Sequence, residues 1–200
     1  MVRMLPDLKR KMAVTISVIS HPLLTTSLLT LLIISFKLLK LDISSFYIFI
    51  FVNIVPTLIW LFVKTKNGTY SNFDVSDRKQ RGSLYLFMLS MLFASVLIMY
   101  LMNELSVFII GLLIGSFMMF TAFITNHFIK VSLHVLINTY MAVCLFLISN
   151  LAFVLLLLFT IMVGWSRISL KRHTKNEVIM GFIIGSVFGI LFLLQTYLTT

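Results

Sequence analysis

Residues 131–164 read VSLHVLINTYMAVCLFLISNLAFVLLLLFTIMVG. A helix rises about 1.5 Å per residue, so one helix over this run would reach about 50 Å. The hydrocarbon core of a bilayer is only about 30 Å thick. The weak point of the run is Ser149-Asn150, where two polar residues sit together. A tight hairpin is expected there, dividing the run into two short membrane segments whose ends extend into the flanking polar stretches.

The rest of the chain is of the same kind. Of its 200 residues 60% are hydrophobic and 11% are charged, and the mean hydropathy is +1.09. Soluble domains are about 45–50% apolar and about 25% charged. A water-facing globule of this size could not cover so much apolar side chain, whereas lipid removes the need to. The expectation is one all-α, polytopic integral membrane domain over residues 1–200. The net charge of +10 does not point to nucleic acid. The basic residues lie between apolar segments, where positive charge sets topology and meets lipid head groups. The single cysteine, Cys144, lies in an apolar run and cannot form a disulfide within the chain. Arg3, Lys9, Arg10 and Lys11 precede an apolar stretch as in a signal peptide. That stretch continues to Phe36 without a small-residue cleavage site at the usual distance, so a retained first helix is expected.

About seven membrane segments are expected: 13–36, 43–63, 84–102, 107–125, the two halves of 131–164, and 178–198. His21-Pro22 either bends the first or marks its true start, and Asn53 and Pro56 lie inside the second. No internal repeat is evident. An odd number of crossings puts alternate loops on opposite sides. One side then collects the N-terminus, Lys64–Arg81, Asn126–Lys130 and Trp165–Asn176, with fourteen of the sixteen Lys and Arg. The other collects the links around Lys37–Asp42 and Asn103–Glu104, the hairpin tip at Asn150 and the C-terminus, with Lys37 and Lys40. The positive-inside rule places the first side in the cytoplasm. Setting aside Arg78, Arg81, Lys130 and Arg167 as possible anion ligands leaves the bias intact, at ten to two.

Three polar stretches on that side border apolar segments. They are Asp74-Val-Ser-Asp-Arg78-Lys-Gln-Arg81, Lys130-Val-Ser132-Leu-His134, and Ser166-Arg167-Ile-Ser-Leu-Lys-Arg-His173-Thr-Lys-Asn-Glu177. Ionisable groups at such borders are functional candidates, because charge inside a membrane helix is costly. Arg78, Arg81, Lys130 and Arg167 can converge on a phosphate, whose oxygens fit paired Arg donors. Ser132 and His134 stand at a helix start, where free N–H groups favour an anion. Of His134 and His173, one can attack phosphorus while the other protonates the leaving oxygen. Glu177, four residues after His173, shares its helical face and can fix the imidazole tautomer.

The third stretch resembles the last motif of the type 2 phosphatidic acid phosphatase (PAP2) superfamily, S-R-x5-H-x3-D. Ser166, Arg167 and His173 match it, and Glu177 replaces the aspartate. The second is similar to P-S-G-H through Ser132 and His134, with Val131 and Leu133 in place of Pro and Gly. The first motif, K-x6-R-P, fits poorly. Arg81-Gly82 stands for R-P, Asp74 occupies the lysine position, and Arg78 is a candidate for the lysine's role. The resemblance spans about 74–185 and implies a PAP2-like helical core over approximately 74–198. It also implies a hydrolase that removes phosphate from a lipid phosphate or diphosphate. His173 would form a phosphohistidine, His134 would be the general acid, and no metal or other cofactor would be needed. The partners expected are that lipid substrate and the surrounding bilayer lipids. The altered motifs leave a non-catalytic lipid-phosphate-binding or lipid-transport protein as an alternative, and a lipid phosphotransferase as another.

Other polar residues have plainer readings. Lys171, Arg172 and Lys175 are read as lipid-head contacts, and His21-Pro22 as a bend or interfacial start. Asn67-Gly68-Thr69 matches a glycosylation sequon but is read as a turn, since a cytoplasmic loop is not glycosylated. His127 is left open between site and surface.

Overall fold

The run from Val131 to Gly164 turns at Ser149. Helix α7 (Leu133–Leu145) ends, and helix α8 begins at Asn150 and runs to Ser169. The Ser149 N–H donates to the Leu145 carbonyl at 2.9 Å. Ser149 then adopts an extended conformation, φ −161° and ψ 122°. Its Oγ accepts the Ala152 N–H at 3.3 Å. This is an N-cap: a side-chain oxygen satisfies a first-turn N–H that has no helical partner.

The computed structural model describes residues 7–35, 43–102 and 107–199, without side chains at 33–35 and 199. The expected links around Lys37–Asp42 (with Lys37 and Lys40) and Asn103–Glu104 lie outside the described residues. Among the described residues every regular element is helical. Besides α7 and α8 they form α1 (Asp7–Ile19), α2 (Pro22–Ser35), α3 (Ile43–Ile48), α4 (Val55–Lys66), α5 (Arg81–Leu101), α6 (Val107–Thr125) and α9 (Lys175–Thr199). A π-helical stretch, Phe49–Ile54, joins α3 to α4. It lies just before Pro56, which stands in the first turn of α4. Proline cannot donate to the preceding turn, and a π segment absorbs the mismatch without ending the helix.

Each expected apolar segment is helical, but not all qualify as spans. Five are long and apolar enough to cross a membrane: Ile43–Lys66, Arg81–Leu101, Val107–Thr125, Asn150–Ser169 and Lys175–Leu198. The bent pair α1 and α2 makes a sixth if it is one span. The chain is therefore a multi-pass membrane protein, with five or six spans among the described residues by length and composition, a measure that does not by itself fix the expected seven. Two features account for the difference. Pro22 has no N–H, and the residue before a proline is pushed out of the helical region, so the first segment breaks at His21. α7 has 13 residues and a length of about 20 Å. Eleven of those residues are buried, so protein rather than lipid surrounds it.

The described residues group into two compact units. One comprises those up to Thr26 together with Lys130–Leu193; the other comprises those of Ser27–Ile129 and those after Leu193. The core of the first takes one buried residue from each of four helices: Ile16 of α1, Val135 of α7, Val163 of α8 and Val178 of α9. Phe159, Ile168 and Phe182 pack around them. α9 approaches α7 through Gly181, Gly185 and Gly189, spaced by four on one face. A Cβ on Gly185 would lie 2.5 Å from the Leu136 carbonyl oxygen and 2.8 Å from Thr139 Cβ. One on Gly181 would lie 2.9 Å from the Ser132 carbonyl oxygen. Small residues at this spacing let membrane helices meet backbone to backbone. The contact brings the starts of α7 and α9 together.

In the second unit Trp60 stacks on Phe87, with ring centroids 4.3 Å apart. Its indole N–H donates to the Tyr70 hydroxyl at 3.0 Å. Tyr70 in turn shares a 2.8 Å bond with Ser83. The Asn53 amide donates to Ser95 Oγ. These bonds satisfy polar groups that hydrocarbon would leave costly.

Candidate active site

The end of α8 decides where His173 goes. Lys171 has φ +55°, a left-handed conformation that usually falls to glycine. Its N–H donates to Ile168 O at 2.9 Å, and the Arg172 N–H donates to Arg167 O at 3.0 Å. This pair of bonds is a Schellman motif, which reverses the chain at a helix end. The His173 N–H also reaches Arg167 O, at 3.3 Å. The last motif is therefore folded back on itself, with Arg167 and His173 joined through backbone.

The start of α9 then fixes the imidazole. Thr174 and Glu177 form a reciprocal capping box. Thr174 Oγ1 accepts the Glu177 N–H at 3.3 Å, and Glu177 Oε2 accepts the Thr174 N–H at 3.2 Å. The same Oε2 lies 2.7 Å from His173 Nδ1. An ionised carboxylate can only accept, so Nδ1 carries a proton toward it. His173 is buried, with 6% of its surface exposed.

Lys130 and Ser132 come to this corner from the start of α7. Lys130 Nζ donates to the Arg172 carbonyl at 2.6 Å and lies 3.9 Å from Glu177 Oε2. The Ser132 N–H donates to the Glu177 carbonyl at 3.2 Å. Ser132 holds the N-cap position of α7, yet its side chain does not cap the helix. Its buried Oγ has no hydrogen-bond partner among the described residues. A buried hydroxyl without a partner is unusual in a folded protein, and this one is available to a ligand oxygen. His134, two residues on, is 5% exposed. Partial burial lowers the pKa of Arg172 from its ordinary value, but a guanidinium remains charged.

α8 supplies Ser166 and Arg167, both fully buried, and α1 holds them. Ser166 Oγ donates to the Ala13 carbonyl at 2.7 Å. Arg167 Nη1 donates to Ser17 Oγ at 2.6 Å. The His21 and His134 rings meet edge to face, with centroids 5.3 Å apart. Sequence reading missed these contributions of α1. Ser17, Ser20 and His21 do share one helical face within an apolar segment, and that was the available signal.

The structure thus brings together seven of the nine expected residues: Lys130, Ser132, His134, Ser166, Arg167, His173 and Glu177. Arg78 and Arg81 belong to the other unit and have contacts of their own there. Arg78 Nη1 donates to the Phe128 carbonyl at 2.9 Å, and its own carbonyl accepts the Asn126 amide at 3.3 Å. Arg81 is buried, and its Nε donates to the Val75 carbonyl at 2.8 Å. Val75 has φ +44°, an outlier for a β-branched residue. The strained turn is what aims that carbonyl at Arg81.

Chemically, the first unit offers an imidazole hydrogen-bonded to a carboxylate, a second buried histidine, two cations and a hydroxyl without a hydrogen-bond partner among the described residues. The family model of the PAP2 superfamily matches residues 120–199. That stretch contains all seven grouped residues, and the match supports membership. No curated protein and no solved structure matches the chain.

Proposed function

We propose that this chain, as a member of the PAP2 superfamily, is an integral membrane phosphatase that hydrolyses a lipid phosphate or diphosphate through a phosphohistidine. Proteins of that superfamily are generally phosphatase-type hydrolases acting on phosphate esters. The lipid substrate is favoured by the site's place on helices in a multi-pass membrane chain. The observation that carries the mechanism is the 2.7 Å bond from His173 Nδ1 to Glu177 Oε2.

His173 Nε2 attacks phosphorus with its lone pair. The P–O bond to the lipid breaks, and the leaving oxygen takes a proton from His134. Water then attacks the phosphohistidine and gives a proton back to His134, and the P–N bond breaks to release phosphate. Glu177 stabilises the charge that His173 gains. Lys130 and Arg167 neutralise the phosphoryl oxygens, and Ser132 and Ser166 serve the same group. No step calls for a metal. The site faces the cytoplasm, by the charge bias of the loops.

The test is phosphate release from phosphatidic acid, phosphatidylglycerophosphate and polyprenyl diphosphates in detergent with EDTA. Wild type is expected to release phosphate from at least one, and His173→Ala from none. Equal release by both proteins sinks the proposal. Val131 and Leu133, where the motif has Pro and Gly, favour a second reading as a non-catalytic lipid-phosphate binder. Labelled phosphate trapped on His173 excludes that reading.

A further inference from the structure

The first segment breaks beside the site, and the break leaves backbone groups for other elements. Pro22 cannot donate, and the Leu24 and Thr25 N–H groups bond His21 O at 2.9 and 3.0 Å. The Ser20 carbonyl, which Leu24 would engage in an unbroken helix, accepts the Asn138 amide instead, at 3.2 Å. The same Asn138 amide donates to the His134 carbonyl at 2.7 Å. Asn138 thus straps the break in the first segment to the first turn of α7. Two further bonds, Ser166 to Ala13 and Arg167 to Ser17, fix α1 along α8. The ring that these tethers deliver against His134 is His21, edge to face at 5.3 Å.

We propose that His21 is a positioning residue for His134, holding its ring at the angle from which it protonates the leaving oxygen. This rests on the phosphatase reading above. The reasoning is geometric. His134 begins a helix and carries its proton on a side chain with two rotatable bonds, so a neighbour must restrict the ring. Glu177 does this for His173. His21 packs against the His134 ring, and edge-to-face packing fixes the angle between two planes. The arrangement also assigns a task to Ser20, Asn138 and the proline break, which the phosphatase reading leaves unused.

A misplaced general acid has a kinetic signature that misfolding lacks. An alkoxide leaving group needs the proton, whereas a nitrophenolate departs without one. The experiment compares kcat/KM on short-chain phosphatidic acid and on p-nitrophenyl phosphate for wild type, His21→Ala, His21→Phe and Ser17→Ala. This ratio reports steps through leaving-group departure. His21→Ala is expected to lose at least about tenfold on phosphatidic acid, part of the 10²–10⁴-fold that acid catalysis contributes. On p-nitrophenyl phosphate its loss is expected to stay below about threefold. His21→Phe keeps an edge-to-face ring and is expected to recover most of the phosphatidic acid rate, and it stands in if His21→Ala does not fold. Ser17→Ala, acting through Arg167 on the phosphate, is expected to lower both rates alike. Equal losses on the two substrates, or none, in His21→Ala, or a loss of about tenfold or more on phosphatidic acid in His21→Phe, overturn the inference while leaving the phosphatase. Wild type inactive on both substrates, and on the lipids above, overturns the phosphatase and this inference with it.

Discussion

One carboxylate oxygen of Glu177 has two bonds to keep. Oε2 accepts from the Thr174 backbone at 3.2 Å and from His173 at 2.7 Å. The first bond belongs to the helix and the second to the proposed mechanism, and substitution can separate them. Gln completes a capping box as well as Glu does, but it carries no charge and can present its NH2 group to the imidazole. Glu177→Gln is expected to keep the thermal stability of wild type. Its kcat is expected to fall about 10²–10⁴-fold, the range for a misdirected imidazole or lost acid–base assistance. Glu177→Ala is expected to lose the same activity and about 1 kcal/mol of stability besides, because the cap goes too. Thermal denaturation alongside phosphate release checks both. A Gln variant with wild-type kcat would remove Glu177 from the mechanism. The pairing of His173 with Glu177 was legible from their spacing of four. The double duty emerges only with the folded backbone, although Thr174-x-x-Glu177 spells a capping box in the sequence. Ser17 and His21 were harder to find. A serine or histidine in an apolar segment identifies its partner only after the helices have packed.

Helix ends were more legible than helix faces. Ser149-Asn150 and His21-Pro22 mark real breaks, because caps and prolines act locally and need no partner. Lys171 was unreadable as a left-handed residue, since nothing in a lysine announces φ +55°. The glycine spacing of α9 was visible, but not the surface it meets. That surface is the backbone of α7, and the contact sets the distance between Ser132 and Glu177. Gly185→Ala places a Cβ 2.5 Å from the Leu136 carbonyl oxygen, an atom of a helix that cannot swing aside. It is expected to destabilise the protein by about 1–3 kcal/mol, as overpacking does, and to lower activity although no site residue is touched. Gly82, in the first turn of α5, has nothing within 4 Å of its would-be Cβ. Gly82→Ala is expected to be neutral or to stabilise by up to about 1 kcal/mol through helix propensity. Unfolding midpoints in mild detergent compare the two. Equal effects would show that the α7–α9 approach is not the constraint described.

Sidedness is a property of the whole chain, and the sequence carries it through charge rather than packing. Seven apolar segments could be counted, but length alone supports five or six spans. The shortfall has a physical origin. A helix enclosed by protein, such as α7, need not match the bilayer, so length stops reporting whether it crosses. Contacts repair part of the count. Lys130 bonds the Arg172 carbonyl, and Ser132 bonds the Glu177 carbonyl, so the starts of α7 and α9 share one end of their unit. The tip at Asn150 lies at the opposite end of α8, whose 20 residues extend about 30 Å. The placement of Lys64–Arg81 still depends on counting crossings and on the positive-inside rule. Two cysteines in a Cys144→Ser background test it. Ser71 and Asn150 are both exposed. In intact cells an impermeant thiol reagent is expected to label Asn150→Cys and to spare Ser71→Cys until the membrane is permeabilised. Labelling of Ser71→Cys without permeabilisation reverses the orientation and puts that loop outside the cell. Labelling of both sites in intact cells removes one crossing between them and puts both loops outside the cell.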